Sequence, residues 1–321
     1  MKVSDFELLY DLPSGEYDGR GLDGVKTITY RAGRSLEVLC FPVVKLTQEA
    51  RREAKRRKST PAMQTVNARN TERHVMRLLE ANFTEDAFFV TGTYAYPAED
   101  YGLCNLEQLA EDYDRRGLPW EAERVRMDVR NFTAKLRRRV VKAAGSAEGF
   151  KWLYSIEEGK QPPAEGLPRK YHFHGVFEGT GLSREIIESL WGHGFTSCER
   201  FRLDDDGAAR LARYICKQKK GGRWWSHSRN LVSPQPRESV RKVSRRRLSQ
   251  MAADVKRDGR EILERLYPDY KAVEVDVKYS DFVAGAYIYA RLRKPPDRGR
   301  PRANPSKNCV FSEKICVRFP G

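Results

Sequence analysis

Apolar and polar residues alternate with two different periods along the chain, and each period predicts a different kind of element. Residues 120–142 repeat apolar side chains at intervals of three and four, which places them on one face of an amphipathic helix. Residues 64–83 carry similar spacing and predict a second helix. A third helix is predicted from about Ser183, a favourable N-cap, to residue 191, and a fourth within residues 204–215.

Short runs of aromatic and β-branched residues predict the strands. Residues 88–94 form a buried apolar run, and residues 151–157 alternate with their bulky side chains on one face. Residues 171–178 follow a segment rich in proline and glycine, and they predict a strand that returns beside 151–157 as a hairpin. Further strands are expected within residues 1–45 and 271–293.

The order of strand, helix, strand, return strand and two helices predicts an α+β fold, with a central antiparallel sheet and helices packed on one face. The stretch 217–247 carries eleven lysines and arginines against one acid and is expected to be a mobile arm. The order of predicted elements and the shifts in composition divide the chain into four regions. They are N-terminal strands and a basic segment at 1–60, a core at 61–220, the basic arm at 221–250, and a C-terminal extension of helix, strands and flexible tail at 251–321.

A net charge of +16 and a pI near 9.6 favour a polyanionic partner, of which nucleic acid is the commonest for a basic soluble protein. An anionic membrane surface and a basic surface without such a partner are the alternatives. The sequence shows no secretory leader and no apolar run long enough to span a membrane, and its six scattered cysteines lack CxxC spacing. We therefore expect a cytoplasmic protein with reduced thiols and no zinc ribbon.

Two histidines, His172 and His174, lie two residues apart in a predicted strand, so their side chains point to the same face. Two imidazoles on one face of a sheet form a chelating pair for a divalent metal. The bulky residues of the neighbouring strand share one parity, so Glu157 falls on the face of the histidines and is preferred over Glu158, although a bulge would reverse that choice. Two histidines on a strand are also compatible with an ordinary surface.

Tyr214 and Lys217 lie three residues apart in a predicted helix, and therefore on one face of it. A tyrosine phenol has a pKa of about 10 and is a weak nucleophile at neutral pH. A neighbouring ammonium group and a metal-polarised phosphate would ease its attack on a phosphodiester. This spacing is common on helix surfaces. Its position after the strand that carries the histidines favours a functional role.

Three motifs in order, FFVTGTY, HFHGVF and YICK, resemble those of HUH-type endonucleases, above all the single-tyrosine rolling-circle replication initiators of bacterial phages and plasmids. The resemblance covers about residues 60–220 and, more loosely, residues 267–293. Gly92 departs from the first motif of the family, where a larger apolar residue is usual. Phe173 takes the apolar middle position of the second motif.

The resemblance implies that Tyr214 attacks the scissile phosphate, which gives a 5′-phosphotyrosine link and a free 3′-hydroxyl that a host polymerase extends. His172, His174 and Glu157 would hold Mg²⁺ or Mn²⁺, and Lys217 would orient the phosphate or neutralise developing charge. The implied substrate is single-stranded DNA at a replication origin in a bacterial host. A host helicase is a further expected partner, since the sequence lacks a GxxxxGK[ST] phosphate-binding loop.

The basic arm offers further contacts to nucleic acid, although a solvated tail with core tryptophans explains it equally well. The candidates are Lys219, Lys220, Arg223 and Arg229 for phosphates, and Trp224 and Trp225 for stacking on unpaired bases. A relaxase or single-strand transposase is an alternative within the same class, but relaxases often place the tyrosine ahead of the histidines, and such transposases are usually much shorter. A nucleic-acid-binding protein without catalysis is the alternative from another class.

Overall fold

A computed structural model of the chain describes residues 19–56, 58, 60–94, 122–160, 169, 171–204, 206–217, 224–279 and 285–295. The strands in these residues are β1 Gly19–Ala32, β2 Ser35–Leu46, β3 Phe88–Gly92, β4 Lys151–Glu158, β5 Tyr171–Glu178, β6 Thr196–Arg200, β7 Trp225–His227, β8 Arg237–Ser239, β9 Lys271–Tyr279 and β10 Ala286–Arg293. The α-helices are α1 Gln48–Arg56, α2 Pro61–Asn82, α3 Ala122–Ala144, α4 Arg184–Trp191, α5 Ala209–Ile215, α6 Arg245–Ala253 and α7 Arg260–Leu266, with a π-helical turn at Val255–Gly259.

The strands form two antiparallel sheets, which confirms the α+β class. The first, which we call the terminal sheet, has the order β8-β1-β2-β10-β9. The second, the central sheet, has the order β6-β3-β5-β4-β7. In the terminal sheet β2 pairs with β10, so strands from opposite ends of the sequence share one core. Local patterns do not reveal such a pairing because it depends on contacts distant in sequence.

Helices cover both faces of the central sheet, not one face as the sequence predicts. On one face α3 and α4 pack through Phe132 and Trp191 against the aromatic side chains of β5. On the other face α2 and α5 pack against Leu153 and Val176, both fully buried. These two residues have the same parity as Glu157 and the histidines. The face that carries the candidate site is therefore apolar and covered along part of its length.

The helix that carries Tyr214 begins later than its sequence pattern predicts. Before this helix the Gly207 amide donates to the Asp204 carbonyl at 2.9 Å and closes a tight turn. Gly207 has a φ of 70°, in the left-handed region, so a right-handed helix cannot continue through it. The helix α5 therefore runs only from Ala209 to Ile215.

Helix α2 lies against both sheets and meets the terminal sheet with buried charged groups. Arg77 donates to Glu37 of β2 at 2.6 Å, and the Tyr289 hydroxyl of β10 donates to the same carboxylate at 2.7 Å. Glu80 accepts from Arg293 of β10 at 2.8 Å. Because each of these buried charged groups has a partner, the contact between α2 and the terminal sheet can be polar and still be buried.

The described part of the basic arm, which the sequence predicts to be mobile, contains two short strands and the start of a helix. Strand β7 adds to the edge of the central sheet beside β4, and β8 adds to the edge of the terminal sheet beside β1. Helix α6 starts at the N-cap Ser244, whose hydroxyl accepts from the Arg247 amide, and it buries Leu248 and Met251. The short pairings of β7 and β8, together with the buried side chains of α6, hold a segment whose overall composition is polar against the rest of the fold.

Residues 296–321, the tail expected to be flexible, lie outside the described residues. Within the described residues no helix is long and apolar enough to cross a membrane.

The unusual Gly92 is explained by the aromatic ring opposite it. Gly92 of β3 is paired with Phe173 of β5, and a Cβ atom on Gly92 would lie 2.1 Å from Cε1 of that ring. Phe173 is fully buried against Trp191, with ring centroids 4.8 Å apart. The small residue of the first motif and the large residue of the second therefore fill one space together.

We expect Gly92→Ala to lower the free energy of unfolding by about 1–3 kcal/mol, because the added methyl group overpacks the core. Urea denaturation followed by circular dichroism measures the change. The double variant Gly92→Ala/Phe173→Leu should lose less stability than the sum of the two single changes. Gly149→Ala is the matched control, since nothing lies within 4 Å of a Cβ there. Equal losses at Gly92 and Gly149 would contradict the packing explanation.

Candidate metal and tyrosine site

The hairpin of β4 and β5 brings the predicted metal ligands together. In its register Glu157 is opposite His172, and Ser155 is opposite His174. Side chains directly opposite in an antiparallel pair lie on the same face, and so do residues two apart on one strand. The structure therefore places Glu157 with the two histidines, whereas Glu158 is opposite Tyr171, at the other parity.

The three side chains have the spacing and chemistry of a metal site. Ligand atoms of Glu157, His172 and His174 all lie within 4.8 Å of one another. The carboxylate Oε2 is 3.9 Å from Nε2 of His172 and 3.6 Å from Nε2 of His174. Two ligands bound about 2.1 Å from one ion can be at most about 4.2 Å apart, so both distances suit a shared ion. Two imidazoles and a carboxylate fit a divalent metal cation.

Both histidines are held in the form that binds metals. Burial lowers the pKa of His174 well below its usual value, and repulsion from His172 when that ring is protonated, together with the charge of Lys217, lowers it further. Burial also lowers the pKa of His172, although the carboxylate of Glu157 opposes the effect. Neutral imidazoles carry the free lone pair that a metal ion needs.

Thr91, to which sequence reasoning assigned no role, contacts His174 from the first motif. Its Oγ1 lies 2.8 Å from Nδ1 of His174, and Phe89 stacks on the imidazole with ring planes 4° apart. A metal ion at Nε2 requires the proton on Nδ1, and in that tautomer Nδ1 donates to Thr91. The alternation of β3 was the available signal, since it places Phe89 and Thr91 on the histidine face.

The hydroxyl of Tyr214 reaches the same histidine from helix α5. It lies 2.7 Å from Nε2 of His174, so the hydroxyl and a metal ion would compete for one lone pair. Burial raises the pKa of the Tyr214 phenol above its usual value, and the negative charge of Glu157 raises it further. The tyrosine is therefore a neutral phenol within the metal group, and it needs nearby positive charge to react as an oxyanion.

Lys217 supplies a positive charge at the edge of this group. Its Nζ is 3.6 Å from Oε1 of Glu157 and 6.0 Å from the centre of the Tyr214 ring. The helix ends at Ile215, so Lys217 lies in the turn that follows and not on the helix itself. The lysine side chain is half exposed and can turn its ammonium group towards a bound anion.

The structure describes three of the six residues that are predicted to contact nucleic acid. Trp224 stacks on Tyr171 with ring centroids 6.0 Å apart, and its carbonyl accepts from the Ile156 amide. Trp225 belongs to β7 and packs near the core on the site face, while Arg229 is exposed beyond that strand. Lys219, Lys220 and Arg223 lie outside the described residues. Both tryptophans therefore lie beside β4, the strand that carries Glu157, and Trp225 is directly opposite Ser155.

We expect one Mn²⁺ ion to bind per chain, and Thr91→Val to weaken its affinity roughly 10- to 100-fold, as loss of a bond that orients a metal-binding histidine does. Isothermal titration calorimetry measures the affinity. His174→Ala should abolish binding, whereas the control His227→Ala, on the edge strand β7, should leave it unchanged. Unchanged affinity in Thr91→Val would show that the Nδ1 contact does not position the ligand.

Comparison with protein-family models, curated proteins and solved structures found no match.

Proposed function

We propose that this chain is a metal-dependent endonuclease that cuts and rejoins single-stranded DNA through Tyr214, as the HUH-type rolling-circle initiators do. One observation carries the proposal: the Tyr214 hydroxyl lies 2.7 Å from His174, a member of the histidine and glutamate group. A hydroxyl nucleophile beside a metal-binding group is the arrangement that phosphoryl transfer requires. The +16 net charge further favours a polyanionic substrate.

In the proposed reaction the phenolic oxygen of Tyr214 forms a bond to the scissile phosphorus, and the bond from phosphorus to the 3′-oxygen of the preceding nucleotide breaks. The phenol gives up a proton and the departing 3′-oxygen gains one. The product is a 5′-phosphotyrosine and a free 3′-hydroxyl, from which a host polymerase extends. Because one phosphoester replaces another, attack by a 3′-hydroxyl reverses the step and rejoins the strand.

The chain's own residues have distinct tasks in this scheme. His172, His174 and Glu157 would hold the cation, which when bound supplies Lewis-acid polarisation of a phosphoryl oxygen. Thr91 orients the imidazole of His174. Lys217 faces the same group and offsets the negative charge that develops on the phosphate.

We expect Tyr214→Phe to abolish the covalent link between protein and DNA, a loss on the order of 10³-fold or more, since the nucleophilic oxygen is removed. The substrate is a single-stranded oligonucleotide that carries the replication origin, labelled on the 3′ side of the cut and incubated with Mn²⁺, and the adduct is resolved by denaturing electrophoresis. Tyr279→Phe, on the terminal sheet, is the matched control and should form the adduct at the parent rate. An adduct in Tyr214→Phe would assign the nucleophile to another residue.

We expect Lys217→Gln to slow adduct formation roughly 10- to 100-fold without changing the affinity for Mn²⁺, because a charge that acts on the phosphate is lost while the metal ligands stay. Lys217→Arg keeps the charge and should retain most of the rate. Single-turnover kinetics give the rate, and calorimetry gives the metal affinity. If Lys217→Gln instead weakens Mn²⁺ binding and leaves the rate at saturating metal unchanged, the lysine acts through Glu157.

A further inference from the structure

An aromatic side chain is exposed on the same sheet as the candidate site. Phe195 is 70% exposed, the highest value among the large apolar side chains that the described residues expose. It lies between helix α4 and strand β6, directly before Thr196. An exposed phenylalanine is common on protein surfaces, so its meaning depends on where the ring lies.

The strand register places Phe195 in line with the metal group. The pairing of β3 with β5 brings Thr93 abreast of His172, one residue beyond the pair Gly92 and Phe173. The Thr93 amide donates to the Phe195 carbonyl at 2.9 Å, which continues the pairing of β3 with β6. Adjacent strands are about 4.8 Å apart, so Phe195 lies two strands, or about 10 Å, from His172.

The alternation of β6 directs Phe195 to the face of the site. Ser197 is opposite Thr91, whose hydroxyl contacts His174, and Phe195 is two residues before Ser197. Cys198, of the other parity, is buried in the core formed with α3 and α4. Phe195, Thr93, His172 and Glu157 therefore form one row across the sheet, in which Thr93 directly follows β3 and Phe195 directly precedes β6.

The backbone beneath the ring is held in place. The Phe195 carbonyl accepts a second hydrogen bond, from the Thr93 hydroxyl at 3.1 Å. Gly192 ends helix α4 with a φ of 69°, in the left-handed region, which turns the chain back towards β6. A ring on an ordered backbone loses little conformational entropy when a flat partner covers it.

We propose that Phe195 is a stacking platform for an unpaired nucleobase next to the cleaved phosphate. The inference rests on the proposed function, which brings a single strand of DNA onto this face of the central sheet. Every nucleobase has a π-face, so an aromatic ring binds it without regard to sequence. The row gives the strand a route from Phe195 over the hydroxyl of Thr93 to the metal group.

Two probes separate base stacking from phosphate binding without knowledge of the origin sequence. One is a fluorescent single-stranded oligothymidylate, and the other is an oligomer of equal length made only of abasic deoxyribose phosphates. Both are titrated into the full chain with Tyr214→Phe, so that no cleavage occurs, and fluorescence anisotropy gives the affinity. The ratio of the two affinities measures the contribution of the bases.

We expect Phe195→Ala to weaken oligothymidylate binding about 10-fold and to leave the abasic oligomer unaffected, as loss of one base–aromatic contact predicts. Phe195→Trp should retain the parent ratio. Tyr279→Ala is the matched control, since Tyr279 is 67% exposed on the terminal sheet, and it should change neither affinity.

Two results would overturn the inference: oligothymidylate affinity that Phe195→Ala leaves unchanged, or equal weakening of both probes, which indicates a general effect on the backbone path. A change in self-association of Phe195→Ala in sedimentation, with both DNA affinities unchanged, would assign the ring to a contact between copies of the chain. The adduct assay on the parent protein is independent. If the parent protein forms the adduct and Phe195→Ala leaves oligothymidylate affinity unchanged, the stacking platform alone is rejected. If the parent protein forms no adduct, the proposed function is rejected.

Discussion

The candidate site depends on the register between β4 and β5. That register puts Glu157 directly opposite His172 and leaves His174 opposite the small Ser155, so a carboxylate and two imidazoles meet on one face. A shift of β4 by one residue would turn Glu157 away from the histidines, and it would also turn Leu153, which shares the parity of Glu157, out of the buried cluster that it forms with Val176. Because these two residues are buried against α2 and α5, the same packing that stabilises the central sheet also holds the metal group in register.

Helix α2 connects the two sheets and so influences where the tyrosine lies. Its Glu80 accepts from Arg293 of the terminal sheet and, at 2.9 Å, from the amide of Ala208 at the start of α5. Arg291 of β10 also donates to the carbonyl of Asp206, in the turn before that helix. Removing one partner of such a buried pair costs about 3–5 kcal/mol. The terminal sheet therefore supports the short helix that presents Tyr214 to His174.

Local pattern predicted most of the elements that build the site. The alternation of β5 and the apolar run of β3 predict these strands because a strand fixes its own side-chain period. Ser183, as an N-cap, predicts the start of α4. Parity alone selected Glu157 over Glu158, the choice that the hairpin register reproduces. The pairing of β2 with β10 and the strands within the basic arm could not be predicted, since each depends on a partner far away in sequence. The alternation of β3 indicates the face on which Thr91 lies, but its contact with His174 depends on the pairing of β3 with β5, which are also far apart in sequence.

In the proposed reaction the oxygen of Tyr214 forms the bond to DNA, and mass spectrometry of a trapped adduct can identify the residue that is attached. Trypsin cleaves after Arg213 and Lys217, so we expect nucleotides to remain attached to the peptide of residues 214–217, with the fragment series placing the phosphate on the tyrosine. Attachment to any other peptide, or recovery of the unmodified 214–217 peptide from an adduct that has formed, would contradict this expectation.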